Sequence, residues 1–429
     1  MKALDRLELW RAEGTASMIR RGRHAVQMQR RRRSFGNTPT PSIEPRRLTL
    51  LATDADPKLG GVTAQCVWRW DQESRGWPSG LLYPSTRTGS WRLDLADGTR
   101  KESHQLSTSS HAATGLHDPR PVLRELDKLG MDCEDLLIDG LAGFDPVAVL
   151  DLARQRPLAV YLHDFASYCV RPHLLEQPMM RFCEFSTENS RCGRCLAHPE
   201  PGKVHDLDAH RAASAALMKE ARLTAFASDF LRRTSLRALD TELDRRRHVV
   251  VHPGIPNTAL PPRPPKPDNV ARVAFIGGGS VHKGADAFLR LLRSRDWSRD
   301  QVQWFVVGGY GVEFLRRFRR QPHVRVLGFV RPGHLPLVLR ELSIDATLHL
   351  SIVPESFSLT LSESAHASCG ALATDLGAMV ERLPSSSRVA PGSIRELTNK
   401  ILERSFQARA QPLFVDESVE RLRTSFEQG

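Results

Sequence analysis

The sequence has no long apolar run, and this absence limits where the chain can reside. No stretch approaches the roughly 18 consecutive apolar residues that a membrane-spanning helix needs. The basic N-terminal stretch also lacks the apolar centre of a secretory signal peptide. With 429 residues, of which 40% are hydrophobic and 26% charged, the chain has an ordinary globular composition and room for two or three domains. These features predict a folded, cytoplasmic protein.

Cysteine is scarce, with seven residues in the whole chain. Because the sequence shows no export signal, disulfide bonds are not expected. Four of the cysteines nevertheless fall close together: Cys169, Cys183, Cys192 and Cys195. The last two form a C-x-x-C pair, which together with two further thiols suits a tetrahedral structural zinc site that would pin a long loop. Free structural thiols are the alternative, and the sequence leaves both open.

Acidic residues are in the minority, and the surplus of positive charge is confined to one end. The formal net charge is +12, and residues 1–47 hold 12 Lys and Arg against four Asp and Glu, so the other 382 residues carry only +4. Residues 1–46 therefore form a basic N-terminal extension. It could rest on anionic lipid, as a peripheral contact at the inner face of the membrane, or be a solvated arm. Because the remaining charge is nearly balanced, nucleic acid is not expected as a partner.

The first half of the chain alternates β-rich runs with helical segments. The run RRLTLLAT reads as a buried strand that leads through Gly60 and Gly61 into a helix. The runs DLLIDG, PLAVYLHDF and LTAFASDF also end in polar residues, and the last strand ends near Val251. This order predicts a Rossmann-like N-terminal domain over residues 47–256, with a Cys-rich loop over 169–195.

Prolines then mark a domain boundary. The segment IPNTALPPRPPKPDN contains six prolines, which favour a stiff, extended connection, so residues 257–269 are predicted to be a linker. After it, short strands and helices alternate again, which predicts a second Rossmann-like domain over residues 270–405. The C-terminal tail, residues 406–429, is expected to form a helix that packs back on the N-terminal domain. Ligands of such sheets bind at the carboxyl ends of the strands.

One glycine-rich loop lies at such a strand end. The stretch AFIGGGSVHKGADAF places three glycines, Ser280 and Lys283 between a strand and a helix. Glycines such as Gly278 let backbone N–H groups approach a phosphate at the positive end of the helix dipole. A lysine opposes that dipole, so Lys283 makes better sense if an anion also binds there. An ordinary glycine turn is the alternative, because this loop has neither G-x-G-x-x-G nor G-K-[ST].

Two glutamates follow the strand DATLHLS, within VPESFSLTLSESAHASCG. Glu355 is expected at the carboxyl end of that strand, facing the same cleft as Lys283. Thr360 as helix N-cap and Glu363 at the third helical position would form a capping box, and Gly370 would end the helix. A carboxylate beside a helix start can also accept hydrogen bonds from sugar hydroxyls, and a second can hold a ribose diol. The pair therefore predicts a nucleotide-sugar site.

These residues carry a family resemblance. Glu355 and Glu363, with seven residues between them, together with FIGGGSVHKG, resemble the retaining glycosyltransferases of family 4, whose fold is named GT-B. The resemblance implies an α/β fold of two Rossmann-like domains whose parallel sheets face each other across a cleft. It also implies that Glu355 contacts the donor sugar, Glu363 holds the ribose and Lys283 binds the diphosphate.

The resemblance extends the site to the first half of the chain. LGGVTAQC is similar to the family's first glycine loop, and YLHDF to a strand end with a histidine in the cleft, here His163. A buried, satisfied histidine is the alternative for His163. The implied donor-binding residues are Gly60, Gly61, Gly278, Ser280, Ser358, Leu359, Thr360 and Glu363, and the implied catalytic residues are Glu355, Lys283 and His163. No metal ion is expected in catalysis.

The sequence departs from the family pattern at three places. The usual E-x-F-G is ESFS, so Ser358 replaces a glycine. The GGxxE that often follows has Ala378 in place of its second glycine and ends at Glu381. Many members also carry an arginine shortly before the lysine, but positions 277–282 offer only His282. Stabilisation of the charge on the leaving group would therefore depend on Lys283 and the helix dipole.

The resemblance predicts an enzyme that transfers a sugar from a nucleotide-sugar donor to a glycan or lipid-linked acceptor with retention, in polysaccharide or glycoconjugate biosynthesis. Residues 47–256 would bind the acceptor and residues 270–405 the donor. Two alternatives stay open. One is a basic protein that binds nucleic acid or membrane on a degenerate GT-B scaffold. The other is a nucleotide-sugar epimerase on the same fold.

Overall fold

The structure is a computed structural model that describes residues 41–56, 60–109, 116–171, 173–198, 206–266, 268–298, 301–309, 311–321, 323–406 and 410–428. Of the predicted basic extension, residues 1–40 lie outside these ranges, so its membrane contact stays a prediction. Within the described ranges, no helix combines the length and the apolar character needed to span a bilayer.

Two large sheets form the frame of the molecule. The strands, in chain order, are β1 (Arg47–Leu50), β2 (Ser79–Pro84), β3 (Ser90–Ala96), β4 (Lys101–Ser109), β5 (Asp135–Asp139), β6 (Leu158–Leu162), β7 (Leu175–Glu176), β8 (Arg181–Phe182), β9 (Leu223–Phe226), β10 (His248–Val250), β11 (Ala271–Ile276), β12 (Val302–Val307), β13 (Val324–Gly328), β14 (Ala346–His349), β15 (Gly370–Thr374) and β16 (Arg388–Val389). The first sheet takes its strands from β1 to β10, except for the separate β7–β8 hairpin, and the second from β11 to β16.

Helices connect most of the parallel strands. They are α1 (Gly61–Glu73), α2 (Arg120–Lys128), α3 (Pro146–Gln155), α4 (Asn189–Leu196), α5 (Leu207–Glu220), α6 (Asp229–Ala238), α7 (Ala285–Arg293), α8 (Val312–Arg319), α9 (Leu335–Glu341), α10 (Leu359–His366), α11 (Met379–Arg382), α12 (Ile394–Leu402) and α13 (Val415–Gln428).

The first sheet has the strand order β10-β9-β6-β5-β1-β2-β3-β4. Its strands are parallel from β10 through β2, while β3 and β4 run antiparallel. The apolar runs of β1, β5 and β6 are buried because helices cover both faces of a parallel sheet. The sequence predicted these parallel strands but missed the β2–β4 extension at the sheet edge.

The second sheet is parallel throughout, with the order β13-β12-β11-β14-β15-β16. Its neighbouring strands β11 and β14 bring two loops side by side at their carboxyl ends. The predicted end of α10 at Gly370 is wrong: the helix ends at His366, and Gly370 is the first residue of strand β15. Two Rossmann-like units with parallel strands confirm the predicted fold class.

The chain passes between the two units twice. The first passage runs from the end of β10 to Ala271, and the second leads into α13, which packs against α1 and β9 of the first unit. The two passages touch: the Ile255 N–H donates to the Leu413 carbonyl, and the Val415 N–H donates to the Ile255 carbonyl, each at 2.9 Å. Phe426 of α13 is 3% exposed within the core of the first unit.

Candidate functional site

The adjacent strands β11 and β14 bring Lys283 and Glu355 together. Lys283 lies in the loop after β11 and Glu355 in the loop after β14. The Lys283 ammonium donates to both carboxylate oxygens of Glu355, at 2.7 and 2.9 Å. Burial favours the neutral acid, but the charge and hydrogen bonds of Lys283 outweigh it and lower the pKa of Glu355. Two residues 72 positions apart thus meet as one ion pair.

The backbone of the Glu355 loop is fixed from two sides. The Ala378 N–H donates to the Glu355 carbonyl at 2.8 Å. Gly377 has φ +65°, and a Cβ there would lie 2.4 Å from the Glu355 carbonyl oxygen, so only glycine fits. Ala378 has φ −65°, which any residue adopts, so the loss of the second glycine of GGxxE costs nothing here. The Ser228 hydroxyl donates to the Ser356 carbonyl at 2.6 Å, from the first unit to the second.

Lys283 is positioned by the glycine that follows it. Gly284 has φ +85° and is the N-cap of α7. A Cβ on Gly284 would lie 1.9 Å from the Leu350 carbonyl oxygen, so the helix start packs directly against the chain that leaves β14. This close approach sets the distance between Lys283 and the Glu355 loop.

The amides of the glycine loop are partly used within the protein. The Gly278 N–H donates to the Val307 carbonyl at 2.8 Å, and the Ser280 N–H to the Gly277 carbonyl at 3.2 Å. A Cβ on Gly278 would lie 2.7 Å from the Gly308 carbonyl carbon. The structure therefore places Gly278 and Ser280 in the predicted loop, where they determine its shape while their amides bond to neighbouring carbonyls.

Glu363 lies inside α10 and is 5% exposed. The predicted capping box with Thr360 is wrong: α10 begins at Leu359, and its N-cap Ser358 makes no side-chain cap hydrogen bond. The Glu363 carboxylate instead accepts from the Gly333 N–H at 2.8 Å. Burial raises the pKa of Glu363 to about 7. A half-protonated acid near neutral pH is thus held beside the start of the helix.

The start of α10 adopts an unusual backbone conformation. Ser358 has φ +74°, a left-handed conformation that glycine adopts without cost and serine does not. The Arg382 guanidinium donates to the carbonyls of Phe357 and Ser358, at 3.2 and 2.8 Å, and holds the turn in place. The first-turn N–H groups, here those of Leu359 and Thr360, have no acceptor within the helix itself. This turn is where the family pattern has glycine.

His163 lies just after β6 and is paired with a buried acid. Its Nε2 hydrogen-bonds Asp139 Oδ1 at the end of β5, and the ring is 5% exposed. Asp139 also accepts from the buried Arg69 guanidinium at 2.6 Å. Burial opposes ionisation, but Arg69 and His163 outweigh it and lower the pKa of Asp139 to about 2. An ionised aspartate behind a histidine fixes the ring orientation and the nitrogen that carries the proton.

The first glycine loop lies close to both His163 and α10. A Cβ on Gly61 would lie 3.2 Å from Leu359 Cδ1, so this loop packs against the helix start across the cleft. A Cβ on Gly140 would lie 3.9 Å from both His163 Cδ2 and Val62 Cγ1. Gly60 is the N-cap of α1, which begins at Gly61. Of the residues predicted in the first half, Gly61 thus contacts the start of α10, while His163 lies beside Gly140, next to Val62 of α1.

A stacked histidine pair connects the two units beside Lys283. His173, in the loop between β6 and β7, stacks on His282 with ring centroids 4.7 Å apart and planes 8° apart. Burial and the Lys283 charge lower the pKa of His282 to about 4 and also lower that of His173. Both rings are therefore neutral near pH 7, and an anion bound beside Lys283 would raise both pKa values.

The sequence analysis missed three residues that lie near the predicted site residues: Asp139, His349 and His173. Asp139 and His349 each end a strand, so the rule that ligands bind at strand ends could have found both. His349 is 5% exposed, and its pKa falls to about 4 because burial outweighs the attraction of Glu355. His173 lies in an irregular loop, and no spacing or periodicity singles it out.

The four cysteines of the Cys-rich loop are free thiols that line one cavity. Among the described residues, no three His, Cys, Asp or Glu side chains stand in a geometry that would hold a metal ion. The zinc site therefore stays a prediction.

Solved structures share this fold at low sequence identity. One is Anabaena Alr3699/HepE in complex with UDP and glucose, with a TM-score of 0.58 and 15% identity over 90% of this chain and 100% of that chain. Another is sucrose-phosphate synthase from Thermosynechococcus elongatus, with a TM-score of 0.56 and 13% identity over 89% and 95%. A third is the apo form of the lipopolysaccharide outer core galactosyltransferase WaaB, with a TM-score of 0.53 and 12% identity over 89% and 97%. No protein-family model and no curated protein sequence matches this chain. The likeness confirms the predicted GT-B fold.

Proposed function

We propose that the chain is a glycosyltransferase that takes a sugar from a nucleotide-sugar donor and transfers it with retention of anomeric configuration. The observation that carries the proposal is the ion pair between Lys283 and Glu355 at the strand ends, beside the start of α10. A lysine at a helix start suits a diphosphate, and a carboxylate beside it suits sugar hydroxyls.

The donor is proposed to be a uridine diphosphate sugar. HepE, which has this fold, was crystallised with UDP and with UDP-glucose, with TM-scores of 0.58 and 0.54. In the present chain the ribose would be held by Glu363, whose carboxylate lies inside α10 next to the Gly333 amide. The identity of the sugar would be set by contacts around Glu355.

Lys283 and Glu355 have complementary roles in the proposed reaction. Lys283 would stabilise the negative charge that grows on the diphosphate as the bond from the anomeric carbon to the phosphate oxygen breaks. Glu355 would accept hydrogen bonds from donor hydroxyls, which requires the ionised form that Lys283 maintains. A carboxylate with both oxygens bound to an ammonium group is a poor nucleophile, which argues against a covalent glycosyl intermediate. The acceptor oxygen would instead attack from the leaving-group side, and its proton would pass to the departing diphosphate.

His163 would orient the donor sugar from the first unit. Its ring is fixed by the ionised Asp139, and it lies near the loop of Gly60 and Gly61. The acceptor, a glycan or a lipid-linked glycan, would bind in the same N-terminal domain. We further propose a cytoplasmic location with peripheral membrane contact through the basic residues 1–46, which fits a lipid-linked acceptor.

Two substitutions test the proposal. Glu355→Gln keeps the shape of the side chain but removes its charge, and Lys283→Ala removes the cation. Each should reduce transfer from a UDP-sugar by about two orders of magnitude or more, the usual effect of removing one stabilising charge. Calorimetric titration of UDP, GDP, TDP and ADP should show UDP as the tightest ligand and a weaker interaction in Lys283→Ala.

Matched controls separate the site from general effects of charge. Glu242→Gln and Lys219→Ala alter exposed residues on the first unit and should leave transfer unchanged. Thermal unfolding of each variant checks that the fold persists. Full turnover in both site variants would overturn the proposal. Nucleic-acid binding that weakens steeply with salt, together with no nucleotide binding, would favour the scaffold alternative.

A further inference from the structure

Four cysteines from separate turns of the chain face a common cavity in the first unit. They are Cys169, Cys183, Cys192 and Cys195, and together they form the thiol cluster. Cys169 follows β6, Cys183 follows the β7–β8 hairpin, and the other two lie one helical turn apart in α4. The loop between them has little regular structure of its own, so its conformation depends on what these side chains contact.

Backbone N–H groups point at two of the sulfurs. The Arg171 N–H donates to Cys169 Sγ at 3.4 Å, and the Gln177 N–H donates to Cys195 Sγ at 3.3 Å. Such donors stabilise a negatively charged sulfur far more than a neutral thiol. Metal-bound thiolates usually have hydrogen-bonded outer partners of this kind. Two of the four sulfurs therefore already have a backbone donor of the kind that accompanies metal-bound thiolates.

The chain also bends tightly around Cys183. Glu184 and Phe185 both adopt left-handed backbone conformations, with φ of +55° and +58°. Backbone hydrogen bonds close the turn: the Cys183 N–H donates to the Leu174 carbonyl and the Ser186 N–H to the Cys183 carbonyl, both at 3.1 Å. Left-handed conformations are unfavourable for residues with a Cβ, so the contacts around this turn must hold it in place. Metal coordination is an interaction of sufficient strength.

We propose that the thiol cluster binds one zinc ion as a tetrathiolate structural site. Four thiolates suit zinc or an iron–sulfur cluster. The cavity has a volume of about 30 Å³, and this small size favours a single ion over a cluster of iron and sulfide. The described sulfurs do not yet stand in ligating geometry, and Cys192 Sγ donates to the Ser186 carbonyl at 3.4 Å. Each cysteine has one side-chain torsion, so binding requires turning the sulfurs into the cavity that they already line.

Zinc binding would change both the protonation and the net charge of the thiol cluster. Binding would break four S–H bonds, form four zinc–sulfur bonds and release four protons to solvent, without oxidation or reduction. The resulting site would carry two negative charges. The Arg211 guanidinium donates to Cys192 Sγ at 3.5 Å and is placed to offset part of this charge, whereas Arg191, which also lines the cavity, is paired with Glu176 at 2.7 Å.

The metal would fix one wall of the candidate donor site. The loop between Cys169 and Cys183 carries His173, whose ring stacks on His282 next to Lys283. A zinc ion that ties the two ends of this loop would hold His173 in that position. The metal site itself does not depend on the proposed transferase activity, and its test does not measure that activity.

Elemental analysis of the full chain, purified without chelators, is the direct test. About one equivalent of zinc per chain is expected. A mercurial reagent that blocks thiols should release this zinc in the wild type, which needs no variant to fold. Cobalt(II) supplied in place of zinc should give the intense visible absorption of a tetrahedral thiolate complex.

Variants assign the metal to the thiol cluster. Cys192→Ser combined with Cys195→Ser should reduce bound zinc to background, while Cys133→Ser, at a partly buried cysteine outside the loop, should keep it. Proteolysis should cut the loop of the double variant faster than that of the control. Wild-type protein without zinc after incubation with the metal would overturn the proposal. So would zinc retained by the double variant, iron with sulfide in place of zinc, or a disulfide within the cluster.

Discussion

Glu363 is a buried acid whose protonation affects the stability of the fold. Burial raises its pKa in the folded protein to about 7, above the value of about 4.5 for an exposed glutamate. Between these two values the folded state retains a proton that the unfolded state releases. Stability should therefore fall as pH rises from about 4.5 to about 7, and then level off.

Glu363→Gln removes this titration while leaving an oxygen to accept from the Gly333 amide. We expect the variant to exceed the wild type in unfolding free energy by up to about 3 kcal/mol above pH ~7, with little difference below pH ~4.5. Urea unfolding at several pH values measures this difference. Glu242→Gln, at an exposed position, should show no such dependence.

The same substitution should weaken UDP binding, because a neutral amide grips a ribose diol less well than a carboxylate. If the variant protein is more stable but binds UDP more weakly, then Glu363 contributes to ligand binding at a cost in folding stability. Unchanged stability above neutral pH would contradict the raised pKa, and unchanged UDP affinity would contradict the ribose contact.

At the scale of elements, the contact between α7 and the end of β14 determines where Lys283 lies. Gly284→Ala would place a methyl group 1.9 Å from the Leu350 carbonyl and force the two elements apart. Gly392→Ala provides a matched control, because Gly392 also has positive φ, +77°, but a methyl group there would have no atom within 4 Å.

Both alanine variants bear the left-handed backbone cost of about 1–2 kcal/mol. We expect Gly284→Ala to lose at least about 2 kcal/mol more than Gly392→Ala, because a backbone clash of this kind requires the helix to shift. Chemical denaturation measures the difference. Equal losses would mean that the helix start can move freely, and that the Lys283 position is not set by this contact.

An element could be predicted from the sequence when its own residues define it, and was missed when contacts with distant residues define it. The parallel strands β5, β6, β11 and β14 could be predicted because each is a short apolar run that ends in polar residues. The β2–β4 extension was missed because β4 alternates at a sheet edge and its partners, not its own sequence, define it. The boundaries of α10 were also misplaced, since Ser358 and Arg382 determine where this helix begins.

In the candidate site, too, some residues could be predicted from the sequence and others could not. Lys283 and Glu355 could be predicted because both lie in strand-end loops, where topology alone brings side chains together. The contact of Glu363 with Gly333 could not, because a capping box is a local pattern and the actual donor lies 30 residues away. Likewise, nothing in the run YLHDF indicates that Asp139 would orient His163.

At the scale of the whole molecule, α13 fastens the end of the chain to the first unit. Phe426 is 3% exposed, its ring lies 4.1 Å from the Arg47 guanidinium, and its carbonyl accepts from Arg222 at 2.6 Å. Phe426→Ala should lower the unfolding free energy by about 3–5 kcal/mol, as for other buried phenylalanines. Leu243→Ala, at a residue that is 45% exposed, should change it by about 0.5 kcal/mol or less. Thermal unfolding compares the two, and similar midpoints would mean that α13 does not contribute to the first unit.

The touching passages at Ile255 and Leu413 limit how the two units can move. A Cβ on Gly254 would lie 2.2 Å from the Phe414 carbonyl carbon, so the two backbones meet without side chains between them. Because the two chain passages touch at one place, they leave one axis about which the units can rotate, whereas two passages far apart would prevent this rotation. Rotation about this single junction would widen or narrow the cleft, and in the proposed reaction such a rotation would let the donor enter and the nucleoside diphosphate leave.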